Sequence, residues 1–172
     1  MAVLTIARMG HPLLARVADP VADPGDPYLK ALAADMEETM VASGGIGLAA
    51  PQVEVGIQMV MFGLPGEGET IPFTVLLNPE ITPLSQDAEE GYEACLSVPG
   101  LTGIVPRWTH IGYRGFDLDG KLVEREAKGF HARVVQHECD HLWGRLYLSR
   151  MADLKSLAYR DELLRLSAEE PA

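Results

Sequence analysis

The pentapeptide His137-Glu138-Cys139-Asp140-His141 constrains this chain more than any other stretch. Two imidazoles four residues apart reach one ion only from a helix, where such residues lie on one face a turn apart. Glu138 is too far round the helix to complete the pair as a ligand, and is placed to take a proton from water held on such an ion. A fold for this chain must therefore pack a helix with charged chemistry on one face and bring a third ligand from elsewhere. A purely structural reading of the same residues makes His137 a hydrogen-bonded core residue, Glu138 a solvated carboxylate and His141 a helix-end histidine favoured by the dipole.

The pattern predicts that helix from about Ala127 to Trp143, with Gly144 as its stop. Upstream, Asp26-Pro27 reads as a helix start, and Leu29, Leu32, Ala33, Met36 and Met40 follow at helical spacing until Gly44-Gly45, which marks a core-facing stripe. Val55, Ile57, Met59 and Met61 alternate as in a strand, and Phe73 to Leu77 is a second β-type run. The glycines and prolines from Gly63 to Pro72 suggest an exposed loop. Ile104 to Val123 is strand-like again, with Asp119-Gly120 as a hairpin turn between Phe116-Asp117-Leu118 and Lys121-Leu122-Val123. Asp153 can cap a third helix through about Leu166, followed by an acidic tail, 167–172, expected to fray. Strands first and the metal helix later predict an α+β fold: antiparallel strands packed around a central metal-binding helix, with an N-terminal and a C-terminal helix.

With 172 residues, 47% of them hydrophobic, the chain has the length and apolar content of one domain spanning 1–172 with a real core. A net charge of -11 argues against sequence-independent binding of nucleic acid, which needs a basic face for phosphates. Neither a signal peptide nor a membrane span is expected, because no apolar run approaches ~20 residues, and the expected location is the cytoplasm. In that reducing compartment Cys95 and Cys139 make a weak case for a disulfide.

The third ligand decides the class of enzyme. In one peptidase group the helix continues as HExxHxxGxxH; Gly144 matches the glycine, but position 147 is Tyr147. In another, a glutamate from a later helix completes the site, and Glu162 stands at a suitable distance, a requirement easily met by chance among 25 acidic residues. Cys95 is the third candidate, and its thiolate suits zinc or ferrous iron.

Three separated motifs resemble the peptide deformylases: Gly45-Ile46-Gly47-Leu48-Ala49-Ala50-Pro51-Gln52, then Glu93-Ala94-Cys95-Leu96-Ser97, then Gln136-His137-Glu138-Cys139-Asp140-His141-Leu142, against GxGLAxxQ, EGCLS and QHExDHL. The stretch Arg8-Met9-Gly10-His11-Pro12-Leu13-Leu14 is similar to that family's start. The resemblance implies Cys95, His137 and His141 as metal ligands with water in the fourth position, as in a catalytic site. The implied ion is Fe2+, with Zn2+, Ni2+ or Co2+ as substitutes. It further implies Glu138 as general base, and an oxyanion held by the Gln52 amide and the Leu96 backbone N–H. The expected reaction is hydrolysis of the N-formyl group from the formylmethionine end of N-formylmethionyl peptides and nascent chains, releasing formate.

Gly45 and Gly47 are expected to let backbone approach the substrate. Helix spacing puts Phe130, Arg133 and Val134 on the side of His137, so Ile46, Phe130 and Val134 are expected to form an apolar slot for the methionine side chain. Arg133 would line its rim with the guanidinium facing outward. The resemblance pairs Glu93 with Arg107 to brace the strand bearing Cys95, and Asp140 either steadies a histidine or caps a charge network. Cys139 is expected to be a small buried filler. His11, His110 and His131 have no motif around them, which suits structural or surface roles. Ala94 departs from the family glycine; its methyl is harmless at negative φ and obstructive at positive φ or against a bound peptide, so activity is expected to be retained, reduced or shifted in peptide preference. The last residues, with Asp153, Asp161, Glu162, Glu169 and Glu170 against Lys155, Arg160 and Arg165, make a poor RNA anchor, leaving ribosome contact to another surface or to transient encounters. Two other readings remain: an HExxH metallopeptidase using Glu162, and a metal-binding homologue without turnover.

Overall fold

In the computed structural model, which describes residues 2–65 and 70–169, the helix demanded by the histidine spacing runs Gly129–Leu142 (α2). In chain order the elements are α1 (Pro27–Ala42), β1 (Gly47–Ala49), β2 (Met59–Leu64), β3 (Ile71–Pro83), β4 (Ala88–Cys95), β5 (Val98–Trp108), β6 (His110–Phe116), β7 (Leu122–Lys128), α2, β8 (Ala158–Tyr159) and α3 (Arg160–Glu169). Single 3-10 turns lie at Pro12–Ala15, Ala50–Val53 and Tyr147–Arg150. All pairings between strands are antiparallel, in a sheet of order β1-β2-β3-β6-β7 and a smaller one of order β4-β5-β8. The α+β expectation holds, with α2 packed against strands of both sheets.

Strand β2 shows how the core is divided. Alternate side chains point to opposite faces, and here both faces are covered. Met59 and Met61 pack with Leu29, Leu32, Met36 and Met40 of α1, whose Asp26 cap accepts the Tyr28 N–H at 2.9 Å. Val60 and Phe62 pack on the other side with Val134, Val135, Cys139 and Leu142 of α2. The strand begins later than the alternation from Val55 implied, and Ile57 contributes only an isolated bridge to Asp19. Strand β3 extends well past Leu77 to Pro83, with a register shift between Leu77 and Glu80. There Asn78 takes φ of 49°, and its side chain bonds both the N–H and the carbonyl of Val21.

Several boundaries differ from expectation, each for a physical reason. Helix α2 does not include Ala127 and Lys128, because they pair with Ile111 and His110 in β7; Gly129, at φ of 54°, then turns the chain into the helix. Gly144 ends it as expected, at φ of 66°. The hairpin turn falls at Asp119-Gly120 as predicted, but its strands are β6 and β7, while β5 belongs to the other sheet. Asp153 caps no helix: it accepts the Lys155 N–H in a turn, Ala158 and Tyr159 then pair with β5, and α3 starts only at Arg160. The tail expected to fray is helical to Glu169, and 170–172 lies outside the described residues. The loop expected over Gly63 to Pro72 is shortened by β2 and β3, and 66–69 also lies outside them. No helix among the described residues is long and apolar enough to cross a membrane.

Candidate metal centre

Helix α2 places the rings of His137 and His141 edge to face, with centroids 5.2 Å apart. Strand β4 supplies the third donor. Its alternation turns Glu93 and Cys95 inward and Ala94 outward, and a register shift after Ala94 leads into the tight turn through Leu96 and Ser97. Cys95 Sγ lies 3.5 Å from His141 Nε2, and one ligand atom from each of Cys95, His137 and His141 falls within 4.8 Å of the others. Ala94 is exposed on the opposite face, and among the described residues only Glu54 and Asn78 combine a side chain with positive φ. The methyl that replaces the family glycine therefore carries no backbone strain.

A layer of charge stands behind these three donors. Glu93 Oε2 lies 2.8 Å from His137 Nδ1; since a carboxylate only accepts, Nδ1 carries the hydrogen and Nε2 is left to coordinate. Arg107 grips the same carboxylate with Nε at 2.8 Å and Nη2 at 2.9 Å, and reaches Asp140 with Nη1 at 2.6 Å. Burial opposes ionisation of Glu93, but its bonds from Arg107 and His137 prevail and hold its pKa down at about 2. Asp140 steadies no histidine; its other partner is Arg150, whose Nη2 donates at 2.6 Å. Arg133 is corrected: its guanidinium does not face outward but turns onto β4 and β5, donating to Glu93 and to the carbonyls of Glu89, Gly91 and Val105. Tyr147, which sequence reasoning used only to exclude a histidine, stacks on His137 with centroids 6.3 Å apart and 19° between planes. Neither it nor Arg150 carries a sequence signal beyond its place just after the motif helix.

Glu138 is buried, and its Oε2 has no hydrogen-bond partner. Burial, more than the nearby charge of Glu93, raises its pKa from 4.5 to about 7, although His137 pulls the other way. At Gly47 a Cβ would meet the Glu138 carboxylate carbon at 2.5 Å, so the glycine leaves that carboxylate its place. A Cβ on Gly45 would press on Leu96 at 3.0 Å, so that glycine makes room for the turn after Cys95. Gln52 accepts the Ala49 N–H at 2.8 Å through Oε1, which aims its Nε2 at Ser97 Oγ, 3.2 Å away, and at Cys95 Sγ. Of the expected methionine slot, Ile46 and Val134 join one apolar cluster. Phe130 is exposed and lines a groove of about 150 Å³ with Gly91, Trp108 and Arg133.

Glu162 is not brought to the histidines: it pairs with Arg165 on α3 and is absent from the donor group, which removes the peptidase geometry that depended on it. His110 pairs with Glu126, His131 lies against Tyr113, and His11 caps Leu13. Cys139 is a buried thiol, held protonated by burial and by the charges of Glu138 and Asp140. The donors fit a divalent cation. Burial alone lowers the pKa of both imidazoles, yet bonds to Cys95 and Glu93 and the charge of Glu138 carry His137 well above its ordinary value. His141, buried beside that charge, is driven well below. A thiol and two imidazoles converging within 4.8 Å beside a buried carboxylate oxygen without a partner are the donor set that suits such a cation.

An acid group kept near neutrality beside a cation site is suited to moving the protons of an attacking water, which puts the chain among the metal-dependent hydrolases. A profile of the polypeptide deformylase family matches residues 3–157. Peptide deformylase 1 of Bordetella pertussis is 53% identical over 163 residues, 92% of this chain and 93% of that one. The class I type b peptide deformylase of Acinetobacter baumannii with Met-Ala-Ser bound superposes with a TM-score of 0.82 at 36% identity, over 87% of this chain and 99% of its own. The Thermotoga maritima peptide deformylase gives 0.81 at 35%, over 89% and 100%. The chain belongs to the polypeptide deformylase family, enzymes that remove the formyl group from an N-terminal formylmethionine. The family and the Cys-His-His group together point to a divalent metal.

Proposed function

We propose that Cys95, His137 and His141 hold one divalent ion, Fe2+ in the cell with Zn2+, Ni2+ or Co2+ as replacements, and that Glu138, Gln52 and Leu96 carry the deformylation. The observation that carries this reading is the convergence of the three donors within 4.8 Å beside a buried carboxylate with an unpartnered oxygen. The ion would supply Lewis acidity, making coordinated water acidic and polarising the formyl oxygen. Glu138, with its pKa near 7, takes the proton of the attacking water and returns it to the departing amine. Gln52, fixed through Oε1, turns an amide hydrogen from its long bond to Cys95 Sγ to the oxyanion, and the Leu96 N–H in the turn after Cys95 is the second donor. Glu93 and Arg107 hold the His137 ring in register.

The substrate is the N-formylmethionyl end of a nascent chain. Met-Ala-Ser, bound in the Acinetobacter enzyme, has the free methionine end that such a reaction leaves. Ile46 and Val134 supply an apolar wall for the methionine side chain. The site of action is the cytoplasm, which suits two free cysteines, and contact with the ribosome is transient, since the basic residues of α3 are outnumbered.

The test is formate release from formyl-Met-Ala-Ser by anaerobically prepared protein, with metal content measured alongside. Formate should appear mole for mole with free peptide. Glu138→Gln should keep the metal and lose about 10²–10⁴-fold in turnover, and Cys95→Ser should lose the metal. Cleavage of internal peptide bonds without formate would overturn the reading.

A further inference from the structure

We infer that Arg133 is a positioning residue for His137, acting through Glu93 and possible only because residue 91 is glycine. The side chain leaves α2 one turn before His137 and is almost wholly covered, with 12% exposed. Its Nη1 donates to Glu93 Oε1 at 3.0 Å and to the Val105 carbonyl at 2.8 Å, and its Nη2 to the Glu89 carbonyl at 2.7 Å. One guanidinium therefore ties the helix that carries both histidines to the two strands that present Cys95. It also fixes the Glu93 carboxylate, whose other oxygen accepts the His137 Nδ1–H.

Glycine at 91 is the other half of the device. A Cβ built there would stand 2.9 Å from both Cζ and Nη2 of Arg133, inside the contact distance of real atoms. The planar fork lies flat against bare backbone, and a side chain at 91 would lift it off the carbonyls it bridges. Arg107 alone could neutralise Glu93, so charge balance does not account for a second arginine; the three strand carbonyls do. Lysine keeps the charge but cannot span them.

The inference rests on His137 being a ligand, and its test separates the two. Protein loaded anaerobically with Co2+ is followed by its visible bands as a chelator withdraws the ion, and deformylation is measured in parallel. Wild-type protein that takes up no Co2+ would defeat the ligand assignment itself. With that assignment standing, Arg133→Ala should release Co2+ about tenfold faster and lose about tenfold in kcat, with KM within about threefold, as for partners that orient a metal ligand. Arg133→Lys should recover only part of either loss. Gly91→Ala should reproduce both changes in the wild-type background and add less than about twofold to Arg133→Ala, because residues acting as one unit are not additive. Arg133→Met, which keeps the stem, replaces the alanine variant if that does not fold. Unchanged Co2+ release and kcat, a loss confined to KM, or an equal cost of Gly91→Ala in both backgrounds would each overturn the inference.

Discussion

Gly47 and Ala94 sit in two of the motifs that mark the family, and the space around each Cβ decides opposite outcomes. Adding a methyl at Gly47 would push directly on the Glu138 carboxylate. Gly47→Ala should therefore cost about 10²-fold or more in kcat, since displacement near 1 Å suffices for that; steady-state kinetics on a formylated peptide decides it. Ala94 faces away from the ligands at negative φ, so Ala94→Gly should leave turnover within about fivefold and lower stability by about 0.5–1 kcal/mol through backbone entropy. Glu138 itself is held at a cost to the fold. Its raised pKa means the folded chain binds a proton more tightly than the unfolded one, so stability falls as pH rises from 4.5 through about 7. In metal-free protein Glu138→Gln should accordingly be more stable than wild type at pH 8, by up to about 3 kcal/mol, and the gain should vanish near pH 4.5; urea unfolding at the two pH values measures it. At this scale the meeting of His137 and His141 on one helix face was legible from periodicity, and that of Cys95 with them from the motif resemblance. The direction of Arg133 was not, since it depends on bare backbone at Gly91 on a distant strand.

Among the elements, those with one strong local signal were read well: α1 from its cap and stripe, α2 from its histidines, the β6–β7 turn from Asp119-Gly120. Strand β4, which carries Cys95, was expected only through the resemblance and not from its residue pattern. Its run Ala88-Glu89-Glu90-Gly91-Tyr92-Glu93 is largely polar, and its inward acid is masked only because Arg107 and Arg133 meet it in three dimensions. The start of α3 was missed because pairing of Ala158 and Tyr159 with β5 overrode the capping tendency of Asp153. Where α1 meets β2 the packing is dense, and Met36 is wholly buried. Met36→Ala should cost about 2–5 kcal/mol by denaturant unfolding.

For the molecule as a whole, the charged layer sets an acid limit. Glu93 titrates near 2 in the folded chain against an ordinary 4.5, so its contribution is complete above 4.5 and is lost as pH falls from there towards 2. The loss should amount to about 3 kcal/mol, seen as a falling urea midpoint in metal-free protein and blunted in Glu93→Gln. The donors themselves come from both sheets' common neighbour and from one hairpin: two on α2, one at the end of β4. No short segment of the chain contains all three, so nothing resembling the finished site exists until the β4–β5 hairpin has docked on the helix. Ion capture is consequently a late event in assembly. A molecule whose hairpin has not seated offers only a pair of imidazoles, which would hold a metal weakly.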